Sequence, residues 1–157
     1  KRSRMGAIVS GKPIDGVSII PLKQIKDERG MVMHMLRADQ EHFKQFGEIY
    51  FSVVNPGVIK GWKKHKLMYQ NFAVPVGEIK IMIYDDRDNS ATRGYIQTIE
   101  VGLNKYSLIQ IPNLVWYGFK GLSEEPAMIA NCATLPHIPD ETINLPLDTA
   151  QIPFYWD

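Results

Sequence analysis

The 157-residue sequence holds a single cysteine, Cys132. One cysteine cannot close an intrachain disulfide, and its rarity suits a reducing compartment, so a cytoplasmic protein is expected. No apolar run reaches the roughly 18 residues that a membrane-spanning helix needs, which predicts no membrane partner. The N-terminal KRSRMG is basic but leads into no apolar region, so it reads as a frayed end at residues 1–6 rather than a signal peptide. The net charge is only +1, too small for a field that would gather nucleic acid or an anionic bilayer. Five signatures are missing: GxGxxG, the phosphate-binding P-loop, CxxC, HExxH and GxSxG. Their absence removes the usual sequence support for a dinucleotide fold, a P-loop nucleotidase, a thiol redox site, a zincin and an α/β-hydrolase. The four histidines, at positions 34, 42, 65 and 137, are scattered, so no metal site is expected. Repeats, low-complexity segments and a second-domain boundary are also lacking, and residues 1–157 read as one domain.

What remains is a chain of short strand signals separated by turn formers. Gly16–Leu22, Met31–Arg37, Glu48–Val54, Tyr95–Val101, Tyr106–Ile111, Val115–Phe119 and Ala127–Thr134 each read as a strand. Asn55-Pro56-Gly57 and Gly102-Leu103-Asn104-Lys105 mark turns between them. Ala38–Phe46 reads as the one short helix, with Asp39 as N-cap, Gly47 at C′ and His42 on its exposed side. From Pro136 onward the prolines at 136, 139, 146 and 153 forbid regular structure. The apolar residues of that tail, Ile143 to Trp156, predict an extended but ordered wrap. Many short strands with one helix predict an all-β antiparallel sandwich or barrel, whose polar inward-facing residues are the functional question.

The densest group of ionisable residues lies between Gly57 and Arg87. A glycine-framed turn at Gly57–Gly61 precedes Lys63 and His65. Strand alternation puts Lys63, His65, Leu67 and Tyr69 on one face and Trp62, Lys64 and Lys66 on the other. The strand Ile79–Tyr84 carries three isoleucines on one side and ends in the turn formers Asp85–Asn89. The cations Lys60, Lys63, Lys64 and Lys66 read either as a solvated surface or as a small anion site such as nucleotide phosphates.

Several short motifs occur in the order found in one family. Asp27-Glu28-Arg29-Gly30, Gly57-Val58-Ile59-Lys60-Gly61, Gly77-Glu78, Tyr84-Asp85-Asp86-Arg87, Ser90-Ala91-Thr92, Ile111-Pro112, Gly118-Phe119 and Leu147-Asp148 through Trp156 resemble landmarks of the nucleotide-sugar epimerases. That family is typified by dTDP-4-dehydrorhamnose 3,5-epimerase, and the sequence is also similar to the related 3,4-ketoisomerases. The resemblance implies a cupin-type jelly roll, a homodimer, a nucleotide-sugar as the small-molecule partner and no cofactor. It also implies proton abstraction next to a 4-keto group, with return of a proton on the opposite face. Lys63 stands where the epimerases have their catalytic histidine, and His65 matches the second histidine of the ketoisomerases. The family's catalytic tyrosine falls on Ala127–Thr134, which has none.

By resemblance, His65 or Lys63 is the base, Asp148 its carboxylate partner, and Tyr69 or Tyr117 the acid. Arg29, Lys60, Tyr69, Gln70 and Arg87 are expected to bind substrate. Two other readings stay open on the sequence: a nucleotide-sugar-binding protein without the chemistry, its phosphate held by Lys60, Lys63 and Arg29, and a pocket for another small molecule.

Overall fold

The computed structural model describes residues 6–157 and is all-β in its regular structure. Residues 1–5, where most of the expected frayed end falls, lie outside the described residues. In chain order the strands are β1 (Ile8–Gly11), β2 (Ser18–Pro21), β3 (Gln24–Asp27), β4 (Gly30–Met33), β5 (Glu48–Val54), β6 (Ile59–His65) and β7 (Gln70–Val76). They continue with β8 (Glu78–Tyr84), β9 (Ile96–Gly102), β10 (Ser107–Ile111), β11 (Trp116–Gly121), β12 (Ala127–Ala133) and β13 (Thr142–Asn144). One sheet runs β1-β9-β8-β11-β6-β13, a second runs β2-β10-β7-β12-β5, and β3 and β4 form a separate hairpin. Neighbouring strands pair antiparallel throughout, in the jelly-roll arrangement.

Alternation explains the packing. Ile79, Ile81 and Ile83 of β8, with Ile99 and Val101 of β9, point between the sheets and meet Val54, Phe72, Val74, Ile109, Ile111 and Ile129. Burying a side chain of this size is worth about 1.5–3 kcal/mol against leaving it in water, so this layer supplies the main cohesion of the sandwich. The residues between them on β8 and β6 face the other way. Met82, Trp62 and Trp116 meet Ile152, Phe154 and Trp156 from the C-terminal tail. Trp62 lies 5.3 Å from Trp156, and Phe154 stands edge-on to Trp156 at 5.2 Å, centroid to centroid. The tail is therefore an ordered wrap across the outer face of the six-stranded sheet, as its apolar residues predict.

Three local expectations are corrected. Ala38–Phe46 forms turns rather than a helix. Its backbone bonds are Gln40 N–H to Arg37 O and Phe43 N–H to Gln40 O, and the Gln40 side-chain oxygen accepts from Arg37 N–H. A nine-residue segment cannot offset the cost of helix nucleation when its polar side chains offer competing local bonds. Gly47 serves close approach instead of capping, since a Cβ there would lie 2.2 Å from the Leu135 nitrogen. His42 is half-buried, and its carbonyl accepts from Gln110 Nε2. Second, the strand expected over Met31–Arg37 ends at Met33. Third, the proline-rich tail is not free of regular structure, because β13 fits between Pro139 and Pro146 and pairs with β6.

Candidate active site

Strand β6 carries Lys60, Lys63 and His65, and its faces at Lys63–His65 separate as alternation requires. Lys63 and His65 face the interior cleft. Lys64 turns outward, where its Nζ lies 2.7 Å from Asp86 Oδ1 and 4.7 Å above the Trp116 ring. Lys60 joins Lys63 on the inner face although it is three positions away. The cause is a slip in the pairing with β11: Tyr117 is opposite Lys63, whereas Phe119 is opposite Lys60. Three steps on β6 match two on β11, and such an extra residue reverses the facing of everything beyond it. Glycine permits the slip, since a Cβ on Gly61 would stand 2.9 Å from the Gly118 Cα.

Between the sheets lies a cavity of about 130 Å³, lined by Tyr50, Ser52, Lys60, Gly61, Lys63, Tyr117 and Asn131 over a floor of Phe72, Phe119 and Ile129. A wider cleft of about 490 Å³ adjoins it and holds Glu48, His65, Met68, His137, Thr142 and Asn144, with Tyr50 and Lys63 common to both spaces. Lys60 Nζ donates to Ser52 Oγ at 3.2 Å and to the Val53 carbonyl at 2.7 Å. Lys63 makes no ion pair among the described residues, so its charge is available to the cavity.

Behind this wall runs a line of buried groups. Glu141 Oε1 lies 2.7 Å from His65 Nδ1, and His65 Nε2 lies 3.0 Å from the Tyr117 hydroxyl. Glu141 Oε2 accepts from the backbone N–H of Leu67 at 3.0 Å and of Met68 at 2.8 Å. An ionised carboxylate only accepts, so Nδ1 carries the proton of a neutral His65. Nε2 then accepts from Tyr117 O–H. Burial pushes the Glu141 carboxyl up, but the hydrogen bonds from His65, Leu67 and Met68 outweigh it and hold the group below its ordinary value. Burial drives the Tyr117 phenol far above its ordinary value, with Tyr50 and Glu141 adding to the shift. A standing phenolate is thus disfavoured, and Tyr117 can act on a substrate proton only by passing its own to His65 in the same step.

The opposite sheet supplies a buried amide network. Asn71 N–H donates to Asn131 Oδ1 at 3.2 Å, and Asn131 Nδ2 donates to the Tyr50 hydroxyl at 2.9 Å and to Gln70 Oε1. Gln110 Nε2 closes the network on Asn71 Oδ1 at 2.9 Å.

Of the expected site residues, His65, Lys63, Lys60 and Tyr117 come together. Asp148 does not join them: it is exposed, next to the turn that Thr149 N–H closes on Pro146 O, and Glu141 occupies the place beside His65. Gln70 is fully buried one layer behind the cavity, against Asn131. Tyr69 stacks under Lys44, away from the cavity lining. Arg87 is consumed by buried Asp85, at 2.9 Å, and by the Asp15 carbonyl at 2.7 Å. Arg29 pairs with Asp27 on the exposed β3–β4 hairpin. Among the described residues, no three His, Cys, Asp or Glu side chains gather as a metal site would require. Sequence reasoning passed over Glu141, Tyr50 and Asn131. Glu141 carried one weak signal, a carboxylate just before the β-prone Thr142-Ile143 in an otherwise proline-broken tail.

A family model described as dTDP-4-dehydrorhamnose 3,5-epimerase matches residues 11–157. The probable low-salt glycan biosynthesis epimerase Agl13 of Haloferax volcanii is 33% identical over 123 residues, covering 77% of this chain and 79% of that protein. The spore coat polysaccharide biosynthesis protein SpsL of Bacillus subtilis is 31% identical over 146 residues, 92% of this chain and 97% of that one. Among solved structures, a dTDP sugar isomerase from Desulfovibrio desulfuricans G20 superposes with a TM-score of 0.89 at 46% identity, covering 91% of this chain and 92% of that one.

Proposed function

Because the chain belongs to the dTDP-4-dehydrorhamnose 3,5-epimerase family, we propose that it is an epimerase or isomerase of a nucleotide-linked 4-keto-6-deoxy sugar, acting in the biosynthesis of a surface polysaccharide. The observation that carries the chemistry is the buried line Glu141–His65–Tyr117, which ends at the cavity wall. The sugar lies in the cavity with a C–H next to its ketone against the Tyr117 oxygen. That proton passes to Tyr117 as the Tyr117 proton passes to His65 Nε2. The electron pair of the broken C–H bond moves to the ketone oxygen as an enolate. Glu141 stabilises the imidazolium so formed, as the carboxylate does in a Ser-His-Asp triad. The cation of Lys63 is placed to oppose charge on the enolate oxygen or on a phosphate, and the hydrogen-bonded Lys60 supports it from the same face. Asp148 has no part in this assignment.

The reading also includes a homodimer of single-domain subunits in the cytoplasm. Two features support the dimer. The β3–β4 hairpin pairs with no other strand and exposes Ile25 and Val32, and an isolated two-stranded hairpin is marginal in water. Strand β5 is an open sheet edge that exposes Ile49, Phe51 and Val53. A second copy covers both. Sedimentation of Phe51→Glu against the parent protein tests this, and a monomeric parent would refute it.

The activity is tested by proton NMR with dTDP-4-keto-6-deoxyglucose in deuterated water. Loss of signal at C3 and C5 marks 3,5-epimerisation, and loss at C3 with a new keto-sugar marks ketoisomerisation. Nucleotide binding with no exchange at either carbon would replace this reading with that of a binding protein.

A further inference from the structure

Inversion needs two proton-transfer groups, one on each face of the sugar, and the line through His65 provides only one. Tyr117 belongs to β11 of the six-stranded sheet. Across the same cavity, Tyr50 projects from β5 of the five-stranded sheet. The strand β12 has no tyrosine, but Asn131 on β12 is the register partner of Tyr50, so the Tyr50 phenol sits directly against the Asn131 amide.

The directions of the hydrogen bonds distinguish the two phenols. A backbone N–H is a donor only, so the bond from Asn71 N fixes Oδ1 of Asn131 as its acceptor. The other end of that amide, Nδ2, is then a donor, and the Tyr50 oxygen must accept from it. The Tyr50 hydroxyl donates to nothing among the described residues, so its proton is free to enter the cavity. Tyr117 is the reverse: its proton is committed to His65, and its oxygen is free. One phenol is arranged to take a proton and the other to give one. Burial pushes the Tyr50 phenol up, Asn131 opposes this, and Glu48 adds to it, so the group stays protonated at neutral pH.

Resting on the function proposed above, we infer that Tyr50 is the second catalytic residue, which protonates the enolate carbon from the face opposite Tyr117. In this step the Tyr50 O–H bond breaks and a C–H bond forms. The enolate electron pair makes that bond as the ketone is restored. The phenolate left behind is held by Asn131 Nδ2–H. It regains a proton from water, since Tyr50 is 42% exposed where the two spaces meet. The proton on His65 leaves through the wider cleft, which His65 lines.

The test separates proton removal from inversion. Tyr50→Phe and the parent protein are each given dTDP-4-keto-6-deoxyglucose in deuterated water, and NMR follows deuterium wash-in with retention alongside the inverted or rearranged product. Affinity for dTDP is measured in parallel to confirm an intact cavity. In the variant, wash-in with retention is expected to stay within about tenfold of the parent's wash-in, because Tyr117 and His65 still act. The inverted product is expected to fall at least 100-fold, the lower range for loss of a general acid. Product at the parental rate overturns the inference. So does a proportional loss of wash-in and product with dTDP affinity retained, because Tyr50 would then serve the removal step. Absence of wash-in by the parent protein would overturn the underlying function, a result that Tyr50→Phe alone cannot produce.

Discussion

Glu141 and His65 are 76 positions apart in the chain and 2.7 Å apart in the structure. The carboxylate fixes which nitrogen of the imidazole is bare, and the bare nitrogen accepts the hydrogen bond of the Tyr117 hydroxyl. Glu141→Gln keeps the shape but can place its amide N–H where an acceptor is needed. Turnover of the keto-sugar is expected to fall roughly 10²- to 10⁴-fold with little change in nucleotide affinity. Retained turnover would remove Glu141 from the relay.

Lys63 bears a charge that no described carboxylate balances. Lys63→Ala is expected to weaken nucleotide-sugar binding by about 1.5–3 kcal/mol, roughly 10- to 100-fold in Kd. Calorimetric titration with dTDP reads this directly, and unchanged affinity would place Lys63 against the enolate alone.

Arg87 makes the contrasting case. Its guanidinium is committed to Asp85, which is 0% exposed, so Arg87→Ala strands a buried carboxylate. A loss of about 3 kcal/mol in urea unfolding is expected, without effect on dTDP affinity in the folded protein. A large loss of affinity at unchanged stability would return Arg87 to the binding site.

Acid should unfold the protein by a defined route. Burial raises the Asp85 carboxyl, but hydrogen bonds from Arg87, Ser90 and Thr92 bring it well below its ordinary 3.8, and Glu141 is held below its ordinary 4.5. As pH falls, the unfolded chain binds protons at these two groups before the folded chain does. The stability they contribute is therefore full above about pH 4.5 and is lost progressively below it. Thermal melts between pH 2 and 7 should show Asp85→Asn with a flatter acid limb than the parent. Parallel curves would mean that Asp85 is not a source of the acid sensitivity.

At Gly61 and Gly118 the two strands touch backbone to backbone. Gly61→Ala is expected to cost about 1–3 kcal/mol and to move Lys60 away from Lys63, since the slip in register depends on that contact. Urea unfolding and dTDP titration together check it, and a change below about 0.5 kcal/mol would contradict the steric account.

The strands were legible because their alternation is local: β5 matches Glu48–Val54, and the isoleucines of Ile79–Tyr84 all face inward. The facing of Lys63 and His65 followed from the same rule. Lys60 did not, since a register slip is a property of two strands and leaves no periodic mark on one. Glu141 lay hidden because its role depends on where a proline-broken tail lands, 76 positions from its partner. Asp148 matched a motif by order along the chain, which does not specify where a turn residue points. Tyr50 sat in plain sight on a well-read strand, but its value comes from Asn131 on the neighbouring strand. The expected helix failed for a different reason, as its polar residues satisfy one another in turns.

Strand β13 also makes the site a composite of two stretches of chain. Both sheets, apart from that edge strand, are built from residues up to Ala133, and so is the cavity with its two phenols and two lysines. Glu141 is set beside His65 by the tail, which lies along β6 and the Trp62 face. The pocket and the carboxylate beside His65 are thus separable parts, one held by the sandwich and the other by the tail.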